Sequence, residues 1–181
     1  MGGSDKAFLI VEGQTFFQRT FHLMRRCFPQ VIVVSNQPEK YAGFGVEVAV
    51  DEFIGRGPLA GIHAGLGLVR VPHAFVVACD MPFLRADPIE FLVRRIGNQD
   101  AIIPCWEGDI EPLHAIYATR LRDKMAVALR GGASAIREFL PQVDVDYVAE
   151  TVLQDVPGAE ESFRNVNTPE DAARFAIQLD L

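Results

Sequence analysis

The sequence predicts a three-layer α/β/α domain built on a mainly parallel sheet, and three observations carry that prediction. Short apolar, β-branched runs such as Val31-Ile32-Val33-Val34 and Phe75-Val76-Val77-Ala78 are too short for helices and read as buried strands. Segments of helical period separate them, and the two kinds alternate along the chain. Internal repeats, low-complexity tracts and long linkers are missing, so residues 1–181 read as one domain.

Composition narrows the function classes. Seventeen basic residues against twenty-four acidic ones give a net charge of −7, which argues against nonspecific nucleic-acid binding. A phosphorylated small molecule stays compatible if positive charge is concentrated locally. No run is long and apolar enough to span a membrane, and no basic, then apolar, leader precedes a cleavage site. A soluble, cytoplasmic protein is the expectation. Cys27, Cys79 and Cys105 show no CxxC spacing and read as reduced, mostly buried thiols.

The opening residues Met-Gly-Gly-Ser-Asp-Lys offer backbone N–H groups and the Lys6 ammonium to an anion. Taken alone they read equally as a flexible tail or cloning remnant. Phe17, Phe21, Met24 and Phe28 then mark the inner face of a helix over 14–28, stopped by Pro29. That aromatic stripe is core. A strand over 31–35 delivers Asn36, and one over 46–50 delivers Asp51.

Gly55 to Gly67 opens a helix with Pro58 in its first turn and Leu59, Ile62, Leu66 and Val69 inward. Gly61 and Gly65, four apart, clear one stripe for close approach. The glycine spacing is G-x-G-x-x-x-G and departs from the dinucleotide fingerprint, so a Rossmann dehydrogenase is set aside. His63 reads as packed or surface.

The strand from Phe75 delivers Asp80, fixed by Pro82. Ligands of open α/β sheets bind beyond the carboxyl ends of strands, so Asp80 suits a metal ion held against a polyphosphate; equally, an Asp there caps a turn. Asn36, Asp51 and Asp80 fall along one predicted rim, which says more than any one of them. Asp87-Pro88 starts a further helix with Ile89, Leu92, Val93 and Ile96 buried. Strands are predicted over 101–105 and 113–118, with Glu111 and Pro112 linking them, helices over 119–130 and 134–140, and a late strand over 143–148. His114 reads as structural or substrate-lining.

In the tail, Thr168 caps a helix carrying Pro169 in its first turn. Asn165 and Asn167 point the same way if the segment is extended, although an Asn before a capped helix is also ordinary turn chemistry.

Met-Gly-Gly-Ser-Asp-Lys-Ala, Gly-Pro-Leu-Ala-Gly-Ile, Ala-Cys-Asp-Met-Pro, Pro-Leu-His-Ala-Ile-Tyr and Asn-Val-Asn-Thr-Pro-Glu-Asp, in this order, resemble the molybdenum cofactor guanylyltransferases, the MobA family. The resemblance runs from Met1 to the last helix. It implies a Rossmann-like fold of the nucleotide-diphospho-sugar transferase type, with a mainly parallel mixed sheet. It also implies transfer of GMP from GTP to the phosphate of molybdopterin, with Mg²⁺ as cofactor and molybdoenzyme-maturation proteins as partners. Carried over by position, Lys6 would hold the triphosphate, Asn36 and Asp51 would help bind the nucleotide, and Asp80 would ligate magnesium. Asn167 would complete the metal site, and Asn165 with Asn167 would face the pterin. A sister nucleotidyltransferase using CTP or another phosphorylated acceptor, and a non-catalytic relative, are the alternatives. One departure stands out: the family normally places a central strand and the loop Leu-Ala-Gly-Gly-x-Ser-x-Arg just before the residues matching Met1-Gly2-Gly3. The expectation is that the sequence starts late and that, as it stands, the sheet is weakened.

Overall fold

A computed structural model describes residues 6–11 and 13–164, except the side chains of Lys6 and Val11. Lys6–Phe8 forms one 3₁₀ turn and leads to a hairpin of β1 (Ile10–Val11) and β2 (Gln14–Thr15). Helix α1 (Phe16–Cys27) starts at a capping box: the Thr15 hydroxyl accepts from the Gln18 amide at 3.1 Å, and the Thr15 amide donates to Gln18 Oε1 at 2.9 Å. Its aromatic stripe packs Phe17 and Phe21 against Tyr41 and Phe44, as core.

Strands β3 (Ile32–Val34) and β4 (Glu47–Ala49) pair in parallel, joined by a 3₁₀ segment, Pro38–Phe44. Side-chain alternation splits β3 between two layers. Val33 packs with the α1 cluster, whereas Val34 points at α2 (Gly57–Leu66). A Cβ on Gly65 would stand 3.1 Å from Val34 Cγ2, so the glycine pair does permit the close approach its spacing suggests.

The rest of the sheet comprises β5 (His73–Val77), β6 (Ala101–Trp106), β7 (Asp109–Ile110), β8 (His114–Ala118) and β9 (Val145–Val148). The order is β5-β8-β6-β7, with β9 alongside β6; β8 is antiparallel to β5 and β6, and β9 is parallel to β6. Ala101, Ile103, Ala115 and Tyr117 face α2 and α4 (Leu121–Arg130), together with α5 (Ile136–Phe139). Ile102 and Ile116 face α3 (Ala86–Val93), α6 (Glu150–Leu153) and α7 (Ala159–Ser162), where Leu92, Leu153 and Ala159 close the second core. Apolar side chains on both faces of β6 and β8 give the three layers that the apolar runs predict.

Several expectations change. Asp87 does not cap α3: the N-cap is Arg85, whose amide donates to the buried Ser162 hydroxyl at 2.7 Å. Val93 and Ile96 are each 38% exposed, because the helix ends before a full inward face is complete. Cys79 is exposed, while Cys27 and Cys105 are half-buried, and all three are free thiols.

The largest change concerns β3 and β5. Both are expected to be buried on two faces, yet β5 is half-buried along its whole length and Val34 is 40% exposed. Among the described residues β3 pairs only with β4 and β5 only with β8, so one edge of each faces a cleft of about 610 Å³. Helices α1 and α2 form the floor and roof of that cleft.

Candidate functional site

Strand register sets the first part of the rim. Val34 lies opposite Ala49, so Asn36 and Asp51, each two residues further on, leave β3 and β4 at the same level. The Ser35 amide donates to the Ala49 carbonyl at 3.0 Å, and the Asp51 amide to Asn36 Oδ1 at 3.0 Å. Asp51 Oδ1 in turn accepts from the Phe53 amide at 2.7 Å. The two predicted residues therefore meet, Asn36 holding the start of its neighbour's loop and Asp51 shaping its own.

The second part of the rim follows β5. The Ala78 amide continues the ladder to the Leu113 carbonyl at 3.0 Å, after which the chain turns at Asp80. Met81, 1% exposed, pins the turn into the core. Arg19 Nε on α1 donates to the Pro82 carbonyl at 3.2 Å and ties down the far side. Asp80 is left half-buried at the carboxyl end of its strand, where its Pro-closed motif suggests it should be.

Glu111 joins Asp80 there, and the sequence reading passes over it as a linker. Its carboxyl is pushed up from 4.5 to about 7, first by burial, then by Asp109, with Asp80 and Glu107 adding negative charge and Arg137 opposing. A two-residue hairpin carries this group: Glu107 (φ 51°) and Gly108 (φ 79°) both adopt the left-handed conformation between Trp106 and its partner Asp109. The Glu111 amide donates to the Pro104 carbonyl at 2.8 Å, holding the residue beside β6. Arg137 pairs with Asp109. The signal was available, since Glu107, Asp109 and Glu111 alternate in sequence. What it lacked was the fold that turns that acidic stretch toward Asp80.

Ser35 and Cys79, the residues just before Asn36 and Asp80, both line the cleft between β3 and β5. The two halves of the rim therefore flank one opening. A second, basic cleft of about 410 Å³ runs from Arg19 and Arg26 on α1 to Pro82 and Arg85. Its arginines supply the local positive charge that a net charge of −7 conceals.

The side chain of Lys6 lies outside the described residues, as do Asn165 and Asn167. No cluster of three or more His, Cys, Asp or Glu with metal-binding geometry occurs among the described residues. Asp80 and Glu111 nevertheless suit a hard divalent cation chemically: both offer oxygen ligands, and the surrounding negative charge that raises the Glu111 pKa favours a cation there.

His63 and His114 are packed side chains. His114 is fully buried, with its ring 5.1 Å from Phe75 and 4.5 Å from Phe163. Neither nitrogen has a partner among the described residues, and burial pushes its pKa down to about 3. His63 is 2% exposed, edge-on to Phe53 at 5.2 Å, with its pKa lowered by burial and then by Arg122. No helix among the described residues is long and apolar enough to cross a membrane.

A sheet between two helical layers, with polar groups gathered beyond the carboxyl ends of its strands, defines a nucleotide-handling transferase fold of the Rossmann-like type. The MobA-like NTP transferase domain matches residues 1–146, and the chain belongs to that family. It is 33% identical over 171 residues to the molybdenum cofactor guanylyltransferase of Desulfosudis oleivorans, covering 94% of this chain and 85% of that protein. It is 30% identical over 178 residues to a probable molybdenum cofactor guanylyltransferase of Pelotomaculum thermopropionicum, covering 98% and 87% respectively. The crystal structure of molybdopterin-guanine dinucleotide biosynthesis protein A from Archaeoglobus fulgidus superposes with a TM-score of 0.83 at 30% identity, covering 96% of this chain and 89% of that one.

Proposed function

We propose that this chain, acting as one nucleotidyltransferase domain, transfers GMP from GTP to the phosphate of molybdopterin and releases pyrophosphate. The observation that carries the reading is that the β5–β8 ladder, ending at the bond from the Ala78 amide to the Leu113 carbonyl, brings Asp80 and Glu111 to one end of the sheet, beside the opening that Asn36 and Asp51 flank on its other side. Similarity over 94–98% of the chain to proteins named molybdenum cofactor guanylyltransferase supports the substrate pair.

In the reaction an oxygen of the molybdopterin phosphate attacks the α-phosphorus of GTP. The bond from that phosphorus to the bridging oxygen of the β-phosphate breaks, and pyrophosphate leaves with the electron pair. The acceptor is already ionised, so no general base is needed, and catalysis rests on alignment and charge neutralisation. Asp80, with Glu111 beside it, would hold Mg²⁺, which supplies the positive charge that lets a triphosphate approach an acidic rim. Lys6 would neutralise the polyphosphate, and Asn36 and Asp51 would fix the loops around the nucleotide. Asn167 would complete the metal site, and Asn165 with Asn167 would orient the pterin.

Pyrophosphate release with molybdopterin and GTP, CTP or ATP tests the reading. GTP is expected to be the productive nucleotide, and Asp80→Ala is expected to lose turnover by about 10²-fold or more with its thermal unfolding unchanged. Full activity of Asp80→Ala, or preference for CTP, would refute the assignment.

A further inference from the structure

The β5–β8 ladder ends at the bond from the Ala78 amide to the Leu113 carbonyl, so Asp80 lies two residues past it and Glu111 two residues before it. Both carboxylates therefore ride on arms that leave the sheet. Mg²⁺ takes oxygen ligands at about 2.0–2.1 Å in a near-octahedral set, so two arms that serve one such ion must be held firmly.

Helix α7 and the residue after it meet both arms. On the Asp80 arm, the fully buried Ser162 hydroxyl accepts from the Arg85 amide at 2.7 Å. Gly158 precedes the helix at φ 74° and lets it lie against that arm: a Cβ there would stand 2.6 Å from Arg85 Cγ and 2.9 Å from Arg85 Cβ, closer than packed carbons come. The Glu111 arm begins at Trp106 and ends at His114, whose amide donates to the Glu111 carbonyl at 3.1 Å. The buried ring of Phe163 lies against both ends, 4.9 Å from the Trp106 ring at an interplanar angle of 22° and 4.5 Å from the His114 ring. Core filling alone asks only for apolar volume, whereas a buried hydroxyl and two ring contacts also fix direction.

We propose that Ser162 and Phe163 are positioning residues for the divalent-cation site: consecutive in sequence, they fix the separation of the Asp80 and Glu111 arms and act through those arms, not as ligands. The inference rests on the reading of Asp80 and Glu111 as cation ligands.

The test measures binding of Mn²⁺, a Mg²⁺ surrogate whose free ion gives the EPR signal, to the nucleotide-free 181-residue chain, with thermal melts to show that each variant is folded. Ser162→Ala and Phe163→Leu should each weaken binding about tenfold or more, the scale of a lost outer-shell partner, and raise by a similar factor the Mg²⁺ needed for half-maximal pyrophosphate release. Trp106→Phe keeps the ring contact and should bind as the wild type does, whereas Trp106→Ala should behave as Phe163→Leu does. Leu129→Val trims the core of α4 on the other face of the sheet, so it reads the effect of destabilisation alone and should leave Mn²⁺ affinity unchanged. Wild-type affinity in Ser162→Ala and Phe163→Leu, or an equal loss in Leu129→Val, would overturn the proposal. Mn²⁺ binding that is absent from the wild type, or unchanged by Asp80→Ala, would instead refute the cation site and the inference with it.

Discussion

Replacing Glu111 by Gln should stabilise the protein above neutral pH and leave it unchanged in acid. The folded state raises the carboxyl from 4.5 to about 7, chiefly by burying it and then by setting it near Asp109 and Asp80. A folded-state pKa above the unfolded one means that the folded form binds this proton more tightly. The associated stability is fully present below about pH 4.5 and is lost as pH rises through about 7. At about 1.4 kcal/mol per tenfold change in proton affinity, a rise from 4.5 to about 7 corresponds to about 3.4 kcal/mol at most. Glu111 is only half-buried, and solvent screening reduces this to about 1–2 kcal/mol. Gln keeps the shape and removes the charge, so the variant should gain that amount at pH 8.5 and almost nothing at pH 4.5. Urea unfolding at both pH values in EDTA, with midpoints compared at constant slope, measures it. An equal difference at both pH values, or a larger gain in acid, would show that folding does not raise the Glu111 carboxyl above its ordinary range.

Two further outcomes follow from buried groups away from the rim. Asp100 is 8% exposed; its carboxylate accepts from Arg120 Nε at 2.8 Å and from the Asp144 amide at 3.1 Å, linking the start of β6 to α4 and β9. Burial raises its pKa, but the Asp144 amide, Arg120 and Lys124 together lower it below its ordinary 3.8. Asp100→Ala should cost about 1–3 kcal/mol at pH 7, a difference that closes as acid titrates the group below pH 4. Thermal melts across pH 3 to 7 read both effects. His114→Leu should be neutral or stabilising by about 1 kcal/mol at pH 7, because it removes two buried nitrogens without partners among the described residues and keeps the packing against Phe75 and Phe163. The folded-state pKa of His114 lies below the unfolded 6.5, so the wild type keeps this stability above pH 6.5 and loses it as pH falls toward 3. The advantage of His114→Leu should widen over that span, and a constant melting-temperature gap would contradict it.

The helices and strands that deliver the rim residues are readable from the chain. Apolar period identified the helix of Phe17, Phe21 and Met24 and the strands ending at Asn36, Asp51 and Asp80, because burial of a repeating face requires nothing beyond nearby residues. Strand ends alone predicted that Asn36 and Asp51 would share a rim, and the parallel β3–β4 register brings them into direct hydrogen bonding. The glycine pair of α2 likewise announced a close approach, later met by Val34.

Contacts between distant segments were decided only by the tertiary structure. Glu111 comes to the same end of the sheet as Asp80 because β5 and β8 pair antiparallel, bringing together ends some thirty positions apart that no sequence window spans. The N-cap of α3 falls on Arg85 and not on Asp87, and its amide donates to the hydroxyl of Ser162, 77 residues away. An apolar run shows that a strand wants burial on both faces but not which neighbour provides it. Sequence sets what each segment needs; the fold determines whether the partner that satisfies it is there.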